Sequence, residues 1–538
     1  MLDAHGARGV TDSHVVRNAI SRRDVIRWSM LGAGAAPVAA FLASCANDGA
    51  KTASSSAATA TSKPAPASTS TTSTSTTSTA ESVATPTATT APFNPTRPWW
   101  MQGNFAPVGK EVESFKLQVE GALPPELNGL YVRNGSNPSV GDSPHWFFGD
   151  GMTHGVRLEN GSAVSYRNRY VQTTMYQSGA GFGQGAPGGA SNQSNVSCIW
   201  HGGRLLTSGE VGFPYELDPA SQSTVGPYDF GGKLNTAFTA HPKIDPVTGR
   251  LHFFGYGFTP PFLTYHIAER DGTLVHSEVV DTPRSTMMHD FAITDTDAIF
   301  WDLPVTFDLD AAIAYIANPT SAAFPYAWTP EDGSRVGVMP LKGGAESITW
   351  FDLDPCFVFH GVNAFRRGDE VIADVCRLSS MFARGQVLGG EPTHRRWTFN
   401  TATGAVTDDV LAVDNPGDLP GRDPRRVGRE HRYSYLLGTR ENPDTVEFGG
   451  LIKHDYTDNS REFWDPGPSR HAGEWLFVPG GSDLADDAGW LISTVHDEAT
   501  AVTNLVVVDA TNVSKGPVAS IALPQRVPYG FHATWVPA

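Results

Sequence analysis

The chain has 538 residues, with 39 Lys and Arg against 56 Asp and Glu, giving a formal net charge of −17. That acidic balance, with no basic stretch interleaved with aromatics, excludes a nucleic-acid-binding surface, so no nucleic acid is expected as a partner. The 55 Gly and 39 Pro favour many short strands joined by turns over long helices.

Residues 1–45 read as an address. SRRDVIR at 21–27 precedes an apolar Ala- and Gly-rich segment at 28–42, which is too short to span a bilayer comfortably. LASC at 42–45 then sets small residues before Cys45. Together these resemble a twin-arginine export signal ending in a lipoprotein lipobox. The expectation is a folded, exported protein whose Cys45 is acylated, held by lipid at the extracytoplasmic face of the cell membrane; an uncleaved membrane anchor is the alternative.

Residues 46–93 collapse to Ser, Thr, Ala and Pro and have too few large apolar side chains to offset chain entropy, so they should form a disordered tether. Such a stalk is either a carrier of O-linked sugars or a plain spacer. With Cys45 given to lipid, Cys198, Cys356 and Cys376 are an odd set and imply no disulfide framework. Buried thiols are expected, with Cys356–Cys376 as the one pairing considered.

The remainder, 94–538, forms a single all-β unit by its pattern. GLYVRNG, HGVRLENG, AVSYRNRYV, GRLLTSGE, RLHFFGYG, FLTYHIAERDGTLVHSEVV, AIFWDLPV, WFDLDPCFVFHGVNAF, EVIADVCRL, RRWTFNTATGAV and WLISTVHDEATAVTNLVVVDA all read as strands. Turns about every ten residues mean a sandwich, barrel or propeller. GQGAPG at 183–188 matches the GxGxxG pattern of dinucleotide sites, but Pro187 interrupts it and no amphipathic helix follows. It reads as a glycine-rich loop.

Four histidines stand out along this unit. His241 lies between a polar strand-like run and Pro242; DPVTG at 245–249 then reads as a turn and 251–256 as the returning strand, a hairpin with an imidazole at its mouth. His289 in MMHDFAIT, His360 in FVFHGVNAF and His532 in GFHATW also sit beside apolar residues at strand ends. Any one of them alone would usually be a hydrogen-bonded core residue, whereas four suggest a metal. Imidazole suits Fe, Zn, Cu or Ni, so the residue type leaves the metal open. Their spacings of 48, 71 and 172 residues correspond to one, one to two, and about four propeller blades of 40–45 residues. Ligands drawn from different blades can converge on a central axis.

The order of these motifs, with ELNGLYVRNGSNP at 126–138, HWFFGDGMTHG at 145–155, GEVGFPYELDP at 209–219 and RRVGREHRYSYLLG at 425–438, resembles the carotenoid cleavage oxygenase family over about 94–538. The resemblance implies a seven-bladed β-propeller with Fe(II) on its axis, held by His241, His289, His360 and His532. A cap of loops and short helices would form an apolar substrate tunnel. His154 falls in a family motif but is not assigned to the metal. Glu210, Asp418 and Glu474 fall on family positions for carboxylates that accept the second imidazole N–H. The family usually has Glu where Asp418 stands; the shorter side chain is expected to give a hydrogen bond that is longer, water-mediated or remade to another histidine.

The implied reaction is cleavage of a C=C double bond by O2 into two carbonyl products, with a small apolar polyene as substrate and no side-chain catalyst beyond the metal centre. A carotenoid or apocarotenoid is the expected substrate, and a stilbenoid of the lignostilbene type is the alternative. Stilbene cleavers of the family hold the substrate phenol with a lysine and a tyrosine, the lysine lying shortly after the strand that reads YRNRYVQTTMY here. Thr174 and Met175 occupy that region, which favours the polyene. A non-catalytic carotenoid carrier is the remaining alternative, and retention of all four histidines argues against it.

Overall fold

Burial decides where each strand sits. Leu251–Tyr256 (LHFFGY) is buried at every position, and Phe357–Arg367, Glu370–Leu378 and Gly489–Asp497 are buried over most of their length. Strands covered on both faces read as near-continuous apolar runs and not as alternation. The fourth strands of five successive sheets, Thr224–Pro227, Leu274–Val279, Thr349–Leu353, Val406–Ala412 and Ser460–Trp464, are mostly exposed or half-buried. These gradients run from an inner first strand to a rim fourth strand, as blades stacked around an axis require.

The computed structural model describes residues 93–180, 189–318, 324–383, 389–440, 442, 445–481 and 485–538. The export signal, Cys45, the tether to residue 92 and the glycine-rich run at 183–188 lie outside the described residues. Seven antiparallel sheets form a seven-bladed propeller. Blade one joins Glu113–Phe115, Ser162–Tyr170, Gly151–Glu159 and Gly129–Ser136 to the last strand, Ala533–Pro537. Blades two to six are four-stranded and follow in order over 197–227, 243–279, 291–353, 357–412 and 417–464. Blade seven spans 470–522 and takes Val119–Gly121 as its outer strand.

The ring is closed at both ends of the described chain. Gly129 to Arg133 pair with Pro537 to Ala533, while Val119 to Gly121 pair with Ile521 to Ala519. Each terminal segment thus completes a sheet built mostly from the other end.

The His241 hairpin forms as expected on its returning side. Lys243 and Ile244 pair with His252 and Leu251; Asp245 Oδ1 accepts from the N–H of Val247 and Thr248 at 2.9 and 2.8 Å, and Gly249 takes a φ of +73° that favours glycine. The run before His241 is not a strand, because pairing begins only at Lys243. The histidine spacings also translate differently. The 71 residues from His289 to His360 cover one blade step, since blade four carries an insertion made of the helix Leu309–Ala317 and the paired strands Val305–Phe307 and Tyr326–Trp328. The 172 residues from His360 to His532 cover three steps and not four, as His532 lies at the strand that re-enters blade one. Cys198, Cys356 and Cys376 are buried free thiols, so the considered Cys356–Cys376 bridge is not made. Among the described residues no helix is long and apolar enough to cross a membrane.

Candidate metal centre

Each blade contributes one residue to the centre. Blade one supplies His532, blade two Glu210, blade three His241, blade four His289, blade five His360, blade six Asp418 and blade seven Glu474. The histidines precede or occupy inner strands, so backbone pairing fixes their Cα positions around the axis. One nitrogen from each of the four imidazoles lies within 4.8 Å of the others. His241 Nε2 and His289 Nε2 are 2.9 Å apart, and His241 stacks edge-on with His532 at 4.3 Å between ring centroids.

Carboxylates orient three of the four rings. His532 Nδ1–H donates to Glu474 Oε1 at 2.8 Å, His360 Nδ1–H to Asp418 Oδ1 at 2.8 Å, and His289 Nδ1–H to Glu210 Oε1. An ionised carboxylate only accepts, so each bond places the proton on Nδ1 and leaves the Nε2 lone pair for another partner. The carboxylates are anchored in turn: Tyr256 donates its hydroxyl to Glu210, Leu419 N–H to Asp418 and Ala533 N–H to Glu474. His241 has no carboxylate partner among the described residues; its backbone N–H donates to Thr239 Oγ1 at 3.1 Å.

The expectation that Asp418 would reach its histidine less directly is overturned. Its bond equals that of Glu474 at 2.8 Å. A bulge between Asp418 and Gly421, with Leu419 at a φ of +49°, carries the backbone at this point, and a bulge re-aims a side chain. The missing methylene is made up by the main chain.

The nitrogen set fits a divalent metal. His360 Nε2 is buried with no hydrogen-bond partner, an uncompensated lone pair that a metal would satisfy. Burial, reinforced by the neighbouring imidazoles, holds His241 and His289 well below the ordinary histidine range, so both rings are neutral as ligation demands. Burial acts the same way on His360, but Asp418, Asp290 and Glu474 outweigh it and hold that ring above its usual value in the metal-free protein. Glu474 is itself held below the carboxylate range, since His532 and the Ala533 amide outweigh the effect of burial.

Two cavities meet at this ring. One, of about 510 Å³, is walled by aromatics that include Trp146, Phe147, Phe258, Phe307, Phe359 and Phe531, and it reaches His289, His360 and His532. Phe307 and Phe324 come from the blade-four insertion, which therefore acts as part of the cap. The other, of about 210 Å³, reaches His241, His360 and His532 and is lined by Lys243, Asp290, Arg422 and Glu474. Lys243 Nζ donates to Asp290 Oδ1 at 2.6 Å in a nearly fully buried pair, and burial lowers that ammonium to about 8 despite Asp290. Arg422 makes no hydrogen bond among the described residues, and its Nε is buried.

Sequence reasoning named neither the Lys243–Asp290 pair nor Tyr256 and Arg422. The signal available was their adjacency: Lys243 and Asp290 flank two of the histidines, and a buried Lys next to a ligand motif has to find an acid. Thr174 and Met175 do not line the aromatic cavity. Thr174 starts the short helix Thr174–Ser178 and bonds the Ala190 carbonyl, while Met175 is buried nearby. Among the described residues no lysine lines the aromatic cavity, and Arg440, its one cation, is tied to Asp465 and to backbone carbonyls. His154 bonds Tyr166 at 2.8 Å, away from the ring.

Comparison with known proteins agrees with this geometry. Residues 105–537 match the family model described as retinal pigment epithelial membrane protein. A carotenoid cleavage oxygenase of Mycobacterium tuberculosis is 36% identical over 503 residues, covering 84% of this chain and 99% of that protein. Carotenoid 9,10(9',10')-cleavage dioxygenase 1 of Arabidopsis thaliana is 35% identical over 495 residues, covering 81% and 89%. The crystal structure of Pseudomonas brassicacearum lignostilbene dioxygenase aligns with a TM-score of 0.74 at 29% identity, over 82% of this chain and 99% of that one. With the matched segment spanning all seven blades and every residue of the ring, the chain belongs to the carotenoid cleavage oxygenase family, that of the retinal pigment epithelial membrane protein.

Proposed function

We propose that the protein is a non-haem iron(II) dioxygenase that cleaves a C=C double bond of a carotenoid or apocarotenoid with O2, giving two carbonyl products. The observation that carries this reading is a four-imidazole ring opening directly onto an aromatic cavity of about 510 Å³. His241, His289, His360 and His532 would hold the iron. When bound, iron(II) supplies the binding and activation of dioxygen. Glu210, Asp418 and Glu474 hold protons at His289, His360 and His532 Nδ1, fix those rings and offset positive charge. Phe147, Phe258, Phe359 and their neighbours exclude water and align an extended polyene, so that one alkene is presented to the ring. No side-chain acid or base is required.

The structural likeness to a lignostilbene dioxygenase supports a second reading, a stilbenoid substrate. Among the described residues the cavity wall has no lysine and so no ammonium to hold a phenolate, which supports the polyene. The test loads the protein with Fe(II) under 18O2 and offers an apocarotenal, a full-length carotenoid and a hydroxystilbene. Labelled fragments from a polyene support the first reading, and fragments from the stilbene alone support the second. No fragments from an iron-replete protein would leave the carrier.

We further infer export by the twin-arginine route and lipid attachment at Cys45, which would set the cavity beside the membrane where polyenes dissolve. The support is the sequence at 21–45. Mass spectrometry of the mature N-terminus tests it, an unmodified Cys45 within an intact chain being the outcome that removes it.

A further inference from the structure

Among the described residues, the buried polar groups of the aromatic cavity wall with nothing to bond include His360 Nε2, the Trp146 indole N–H and one carboxamide. Gln193 lines the cavity and is only 8% exposed; its Nε2 is fully buried without a partner, and its amide makes no hydrogen bond among the described residues. The chain around it is clamped. Asn192 Nδ2 donates to the Phe213 carbonyl at 3.0 Å, the Ser194 carbonyl accepts from Asn134 Nδ2 at 2.8 Å, and Asn195 Nδ2 donates to the carbonyls of Phe147 and Gly149 at 2.8 and 2.7 Å. The Gln193 carbonyl accepts from Gly151 N–H at 3.0 Å. Only its side chain is left over.

Two further observations give that leftover amide a purpose. Ser194 is completely buried at a φ of +48°, a left-handed conformation that a non-glycine residue keeps only when its surroundings impose it. Three residues after Gln193, the Val196 carbonyl accepts from His532 N–H at 3.1 Å, so the segment bearing the amide is tied to the metal ring itself. A buried amide with no partner is destabilising, and an apolar side chain of the same length would remove that penalty. An oxygen on a bound ligand would remove it too.

We propose that Gln193 reads an oxygen on the substrate, the carbonyl or hydroxyl terminus of an otherwise apolar polyene, and so selects oxygenated polyenes over hydrocarbons. The inference rests on the polyene-cleaving reading. The carboxamide suits either group, since its NH2 donates to a carbonyl and its oxygen accepts from a hydroxyl. Because the segment is tied to His532, the distance from Gln193 to the ring measures out which double bond along the polyene reaches the metal. Gln193 is a positioning residue and takes no part in bond breaking.

The experiment compares an apocarotenal, the matching alcohol and the hydrocarbon of the same skeleton, binding each to the whole protein and to Gln193→Leu by quenching of tryptophan fluorescence. The expected result is that the native protein binds both oxygenated ligands at least about tenfold tighter than the hydrocarbon, as one buried hydrogen-bonding group would give, and that this ratio approaches one in the variant. Equal ratios in the two proteins overturn the proposal, whatever the absolute affinities. Gln193→Met, which keeps the length of the side chain, replaces the leucine variant if that one folds poorly. Product analysis under 18O2 is read separately: a ratio that collapses without any cleavage keeps Gln193 and removes the dioxygenase reading, while cleavage with an unchanged ratio does the reverse.

Discussion

The two cavities that meet at the histidine ring are made of opposite materials. On one side, about 510 Å³ is walled by phenylalanine and tryptophan, and the polar groups that reach it are mostly already bonded. On the other, about 210 Å³ is lined by a lysine, an arginine and two carboxylates. Charge in a low-dielectric interior acts over longer range than in water, so the lysine, arginine and carboxylates of the polar side act on the ring together with Glu210 and Asp418, the two ring carboxylates that border the aromatic side. The difference teaches that water exclusion rests on the aromatic face, while charge balance is shared by both faces of one centre.

The largest expected effect erases the boundary between the two faces. His289→Ala removes a ligand that borders the aromatic side, and iron content and cleavage both fall to the level of metal-free protein. Metal analysis checks the first and product formation the second; turnover persisting without iron would defeat the dioxygenase reading. On the polar side, Lys243→Met leaves the buried Asp290 carboxylate without its ammonium, with only the Phe291 and Gly361 N–H groups as hydrogen-bond partners, and an expected loss of about 3–5 kcal/mol in unfolding free energy. Denaturant titration measures it. Glu474→Gln weakens the tie to His532, and iron affinity should drop by about 10–100-fold with the fold intact. Competition with a chelator reads that change.

Smaller effects sharpen the contrast from outside the centre. His154, His252, His266 and His431 are pushed by burial to about 3, 4, 3 and 3, against about 6.5 in an unfolded chain. A depressed histidine value means that the unfolded chain binds the extra proton, so this stability is complete above about pH 6.5 and is lost as pH falls toward 4. The thermal midpoint should already decline between about pH 6.5 and 5, above the carboxylate range; a flat profile there would count against these assignments. Smallest of all, Phe258→Leu removes an aromatic pair with Phe307, whose centroids are 4.2 Å apart, and should raise KM for a polyene several-fold while leaving iron content unchanged.

Much of the site was legible because its chemistry sits in short motifs. His241, His289, His360 and His532 each stand beside a strand whose apolar run can be seen in the sequence, and Glu210 and Glu474 lie on family positions. The strands were legible for the same reason, since a buried inner strand such as Leu251–Tyr256 carries its burial in its composition. What escaped depends on geometry between distant segments. Lys243 and Asp290 are 47 residues apart and their pairing follows from the stacking of blades three and four. Asp418 reaches His360 through a bulge that no side-chain pattern encodes. The blade count between His360 and His532 depended on which sheet the last strand would join, and Ala533–Pro537 returns to the first.

That last strand has a consequence for the order in which the molecule is made. His532 immediately precedes Ala533–Pro537, and Ala533 N–H also steadies Glu474 of blade seven. During synthesis six blades can acquire their inner strands before the fourth imidazole exists. The metal centre is therefore finished by residues 532–537, and a nascent protein that still lacks them, however much of its propeller has folded, offers a metal three nitrogens and an open seam. Tight metal retention would thus report that the ring has been closed.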